Sequence, residues 1–137
     1  MTELFRCVVP AEWGSEILSD GLRGIRYGSP AVHIDVVLRS DPATPEAFLK
    51  RLKNRGVAAQ DAKAVTVSGA STRLWKRDYE RGTGPGESGD WVHEEFVFLP
   101  QGDAYWVLMF QSVSAAPKPV PAGAEAWIRF LAGFRRG

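Results

Sequence analysis

The final third of the chain limits its fold more than any other part. Residues 91–99 and 105–113 are two runs rich in β-branched and aromatic side chains, joined by Pro100-Gln101-Gly102-Asp103. Runs of that kind around a short turn read as an antiparallel hairpin. Trp127, Phe130, Leu131 and Phe134 follow at i, i+3, i+4 and i+7, the spacing of one buried helix face. Such a stripe must be covered, and the sheet that the hairpin begins is the nearest apolar surface. The pattern predicts a helix packed on an antiparallel sheet and leaves the activity open.

The preceding elements agree. Residues 5–9 read as a first strand, stopped at Pro10, and residues 22–27 as a second. In residues 31–39, Val32, Ile34, Val36 and Leu38 alternate on one face of a third strand. Thr44 and Pro45 then supply a cap and a first helical position, Phe48, Leu49 and Leu52 an apolar face, and Gly56 a stop, predicting a helix over residues 45–54. Residues 64–67 and 71–79 read as strand around a turn or bulge at Ser68-Gly69-Ala70. Pro117, Pro119 and Pro121 make an extended linker to a closing helix over residues 122–134. The order β-β-β-α-β-β-β-α predicts one α+β domain over residues 1–137: an antiparallel sheet of about six strands covered by two helices.

Composition removes several function classes. At 137 residues the chain can bury a core without metal or disulfide support. Its 17 basic and 16 acidic residues leave a charge of +1, no general drive towards nucleic acid or anionic lipid. Cys7 is the only cysteine, which excludes an intrachain disulfide and a cysteine zinc cage, and its apolar neighbours predict a buried thiol. No window reaches the ~20 apolar residues of a membrane span. The start Met-Thr-Glu-Leu-Phe has neither a basic nor an apolar leader region, so a cytoplasmic protein is expected.

The candidate chemistry is thin. Residues 82–89 hold four glycines, but Pro85 removes an N–H and no Gly-Lys-Ser/Thr follows, so they read as a hairpin loop and not a phosphate cradle. His33 and Asp35 share one strand face, and His93 and Glu95 share another. On neighbouring strands these four would form a metal site or an acid/base group. The alternation around Val32–Leu38 instead turns His33 and Asp35 to water, which is the favoured reading. Arg73, Lys76, Arg77 and Arg81 interleave with Trp75 and Tyr79, as in single-strand nucleic-acid binders. With no wider positive field, arginine stems propping aromatics and pairing with Glu80, Glu94 and Glu95 are the better account.

Five tryptophans need a place. Trp127 and Trp106 belong to the core by periodicity, while Trp13, Trp75 and Trp91 either seal the rim or anchor a partner. Apolar residues on both faces of the hairpin strands exceed what one covered face requires. They point to partner binding through Trp75, Tyr79, Trp91, Phe96, Phe98 and Tyr105.

The chain resembles the Mog1/PsbP-like superfamily, in particular its small bacterial DcrB-related branch. The likeness rests on Val9-Pro10 before Trp13-Gly14, the helix at 45–54, and Gly69 ahead of Arg73-Leu74-Trp75. It continues in Leu99-Pro100-Gln101-Gly102 before Ala104-Tyr105-Trp106, and in the ending Phe130-Leu131-Ala132-Gly133-Phe134-Arg135. The resemblance implies an α/β/α sandwich and a binding module without catalysis or cofactor. Among such relatives Mog1 binds a small GTPase and PsbP is an extrinsic photosystem subunit. Some bacterial relatives are cytosolic chaperones, usually dimeric, that hold transmembrane segments of type VI secretion effectors. The expectation is a cytoplasmic protein-binding module, a chaperone or adaptor for a protein partner, with a homodimer in view and no nucleic acid or membrane insertion. Its alternative is a small metal-binding protein or enzyme built on His33, Asp35, His93 and Glu95.

Overall fold

The computed structural model describes residues 4–82 and 89–137. In chain order the elements are β1 (Phe5–Arg6), β2 (Ser15–Leu18), β3 (Arg23–Gly28), β4 (Val32–Arg39), α1 (Pro45–Asn54), β5 (Gln60–Val67) and β6 (Ala70–Arg81). They continue with β7 (Asp90–Gln101), β8 (Ala104–Ser114), α2 (Ala124–Gly133) and β9 (Arg135–Arg136). The protein is α+β. Seven antiparallel strands form one sheet in the order β2-β3-β4-β8-β7-β6-β5, and β1 pairs with β9 in a separate ribbon.

The sheet therefore has one strand more than expected. Two strands are added and one is lost: residues 64–79, expected as one interrupted strand, form the pair β5 and β6, and β2 is new, its Ile17 and Leu18 lying ahead of a turn that Gly21 closes at φ 64°. The expected first strand over 5–9 shrinks to Phe5–Arg6 and leaves the main sheet, because its partner strand, β9, arises only after α2. Val8 lies against Gly133 of α2. Ser68 and Gly69, at φ 52° and 75°, make the two-residue turn between β5 and β6. The irregularity in that hairpin lies elsewhere, between Asp61 and Lys63. Most of the glycine-rich stretch, residues 83–88, lies outside the described residues.

Cross-strand register assigns each side chain to a face. Ile34 sits opposite Phe110, which sits opposite Glu95, and Asp35 opposite Met109 and then Phe96. One face carries Ile34, Val36, Leu74, Val97, Leu99, Leu108 and Phe110, buried with Trp127, Phe130 and Phe134 of α2 and its C-cap. The other carries Phe96, Phe98, Tyr105 and Val107, packed against Phe48, Leu49 and Leu52 of α1. Trp106 and Trp127, expected in the core, are buried there.

This arrangement corrects the expected use of the hairpin. Its apolar surplus covers both faces at once, and Phe96, Phe98 and Tyr105 are buried beneath α1 rather than offered to a partner. Two edge-on ring contacts, Phe48 with Phe96 and Phe48 with Phe98, one tilted contact, Phe98 with Tyr105, and the Arg39 guanidinium over the Phe48 ring would have to open to expose them.

Candidate binding groove

The proposed His/carboxylate cluster does not assemble. β8 lies between β4 and β7, and register places His33 and Asp35 on the α1 face but His93 and Glu95 on the α2 face. Nor do His33 and Asp35 face water: they are 2% and 6% exposed. The alternation does put His33 and Asp35 on the face opposite Ile34 and Val36, but this sheet buries both of its faces. Asp35 instead accepts two bonds from Arg26, at 2.8 and 3.0 Å, and His33 Nδ1 contacts the Ser29 carbonyl at 3.0 Å. Among the described residues no group of three or more His, Cys, Asp and Glu side chains is arranged to hold a metal.

His93 has a different role. Its Nδ1 lies 2.7 Å from Asp78 and its Nε2 2.6 Å from Glu95, and the Trp127 indole donates to Glu95 at 3.1 Å. The bond to Glu95 raises the His93 pKa; burial opposes this and Asp78 reinforces it. Burial pushes the Glu95 carboxyl up, but bonds from His93 and Trp127 and the charge of Lys76 hold it below its ordinary value. With both ring nitrogens engaged by carboxylates, the His93 ring brackets β6 and β7 and, through Glu95 and Trp127, α2.

The basic run is likewise internally paired. Arg73 binds Asp61, Arg77 binds Glu94 at 2.6 Å, and Arg81 binds Asp90. Arg77 also lies 4.8 Å over the Tyr79 ring, and Gln111 donates to the second Glu94 oxygen at 2.7 Å. Arginine stems propping aromatics is thus the arrangement found. Trp75 and Tyr79 remain half-exposed on the α1 face, whereas Trp91 points to the opposite face, beside His93. The six aromatics suggested as a partner surface therefore do not share one.

A different surface is open. α2 covers the central strands on its face, and over β2 and β3 the cover is the segment around β1. Phe5 packs there on Trp106 and Phe134, with ring centroids 5.4 and 5.7 Å apart. Between that segment and the sheet lies a groove of about 930 Å³, floored by Ile25, Tyr27, Val36 and Trp106 and walled by Leu4, Phe5, Cys7, Ile17, Leu18 and Leu22. Its volume is that of a ligand site. Ile17 is 89% exposed, Leu22 59% and Leu4 39%, so large apolar side chains gather at its mouth. Arg6 and Arg23 also line it and form no ion pair among the described residues. Cys7 is half-buried within it, and burial raises its thiol pKa, which leaves it a poor nucleophile.

Sequence reasoning missed Ile17 and Leu18 because β2 is too short to show alternation, and it read Leu22 only as part of a strand over 22–27. The available signal was local: Ser19-Asp20-Gly21 is a turn sequence between the apolar pair Ile17-Leu18 and Leu22.

No protein-family model matches the sequence, and no curated protein matches it. Among solved structures there are similar chains. A crystal structure from Bacteroides thetaiotaomicron VPI-5482 is 12% identical with a TM-score of 0.58, over 98% of this chain and 45% of that one. This chain thus spans under half of that protein's length. LpqN, described as involved in cell envelope biogenesis of Mycobacterium tuberculosis, is 20% identical with a TM-score of 0.49, over 96% of this chain and 82% of that one. At 12% identity the likeness to the Bacteroides structure is one of fold alone: a small, β-rich domain.

Proposed function

We propose that this protein is a non-enzymatic binding module that holds an apolar segment of a partner protein in the groove over β2 and β3. The observation that carries the reading is the gathering of Leu4, Ile17 and Leu22, all exposed, around one apolar floor. Burying such a surface is the main driving force of association. The groove replaces the β6–β8 face as the docking surface, since α1 occupies that face. Within this reading the chain is a cytoplasmic chaperone or adaptor of the Mog1/PsbP-like, DcrB-related kind, its sheet an α/β/α sandwich, serving a secretion-system effector. The two helix-bearing clusters on opposite faces support that assignment.

The test pairs the wild type with a double variant, Ile17→Asp with Leu22→Asp, whose side chains leave the core untouched. A fluorescein-labelled, predominantly leucine and alanine peptide of transmembrane length is titrated into each. Binding by the wild type, and a loss of at least tenfold in the variant with an unchanged circular dichroism spectrum, is the expected result. Equal binding by both proteins overturns the groove as the site.

A further inference from the structure

The two edges of the seven-stranded sheet are built differently. β5, at one edge, carries Asp61 and Lys63 and breaks its ladder between them. A charged, irregular edge resists the addition of another strand. β2, at the other, presents Ser15-Glu16-Ile17-Leu18 with no bulge in its register to β3, and no described strand pairs with its outer side. The Gly28 N–H donates to the Gly14 carbonyl at 3.0 Å, which sets the phase of that ladder. Glu16 and Leu18 therefore bond to β3, and the backbone N–H and C=O groups of Ser15 and Ile17 point to the open side.

Ile17 stands on the same face of the sheet as Ile25 and Val36, opposite which it pairs in register, and that face is the floor of the groove. A strand laid beside β2 would set every second side chain next to Ile17, at the groove mouth. Arg6 and Arg23, which form no ion pair among the described residues, line the same cavity and favour an acidic residue in whatever enters.

We propose that the partner segment binds as an added strand on the open edge of β2, with alternate apolar side chains over the groove and an acidic residue against Arg6 and Arg23. This rests on the binding reading above and specifies its geometry: main-chain bonds to Ser15 and Ile17 give affinity, and the groove and the arginines give specificity.

The probe is a capped eight-residue peptide of alternating valine and threonine with one glutamate, titrated into the full chain by fluorescence anisotropy. Two further peptides carry N-methyl groups on one or the other alternate set of amides. One methylated set should lose affinity at least tenfold while the other stays within about twofold, because only one set can face β2. Arg23→Glu should weaken the glutamate peptide and strengthen a lysine analogue. If both methylated peptides bind like the parent while Ile17→Asp abolishes binding, strand addition is overturned and the apolar groove survives. If Ile17→Asp has no effect on any peptide, the groove itself is the wrong site. Two other results also overturn the proposal. One is binding of dodecanoate without any of the peptides; the other is a dimer in sedimentation that Ile17→Asp dissolves and that excludes the peptides.

Discussion

The two helices have the same length and opposite constructions. α1 is defined by its ends: the Thr44 hydroxyl accepts from the Ala47 N–H at 3.2 Å, Pro45 occupies the first turn with Glu46, and Arg51 and Lys53 sit near the C-terminus. These are local devices, each favourable to a helix before anything packs on it. None of its residues is fully buried. α2 has no side-chain cap; Gly123, at φ 87°, precedes it, and a β-carbon there would run into Val32 and Phe110. What holds α2 is burial. Trp127 stacks on Phe110 and Phe130 at 5.7 and 5.6 Å, and Phe130 and Phe134 are 0% exposed. One helix is specified by its own sequence and the other by the sheet it covers.

Substitutions that sharpen this contrast rank by burial. Phe130→Ala should cost about 3–5 kcal/mol in chemical denaturation, since it empties the centre of the α2 core. A loss below about 1 kcal/mol would mean that α2 is not held by packing. Gly123→Ala should lower the melting temperature through strain and collision at the start of α2, with α1 unaffected in amide exchange. Phe48→Ala removes a half-buried ring from α1, and a loss of roughly 1–2 kcal/mol is expected, less than at Phe130. Thr44→Ala should cost about 1 kcal/mol and fray only the first turn of α1, visible as faster exchange there.

The smallest effect is in pH. His93 titrates at a raised pKa in the folded protein because Glu95 and Asp78 bind its charged form. Its contribution to stability is therefore complete below the unfolded histidine value of about 6.5, and it declines as pH rises through the folded pKa. His93→Gln should flatten that decline in a series of melting curves. Because Glu95 also accepts from Trp127, the loss should register on α2 and leave α1 unchanged.

The same contrast explains which parts were legible in the sequence. α1 was expected over 45–54 and lies at Pro45–Asn54, because caps, proline and glycine act within a few residues. The closing helix was expected over 122–134 and spans Ala124–Gly133, its periodicity clear but its ends unmarked by any capping side chain. β2 and β9 do not show in the sequence: both are too short for a period, and β9 pairs with β1 from the far end of the chain. His33, Asp35, His93 and Glu95 were paired correctly within their strands, yet whether the pairs meet depended on β8 lying between them.

The candidate groove follows the same rule. Alternation determined that Val36 and Ile34 face one way and His33 and Asp35 the other, since the strand period is local. Local patterns were thus enough for an α+β chain, a well-marked first helix, the terminal hairpin and the stripe from Trp127 to Phe134. Which face each helix covers, the closing off of Phe96, Phe98 and Tyr105, and the exposure of Ile17 and Leu22 follow from long-range packing. The reason is physical: burial is a sum over contacts from the whole chain, and no window of sequence contains the neighbour that does, or does not, arrive.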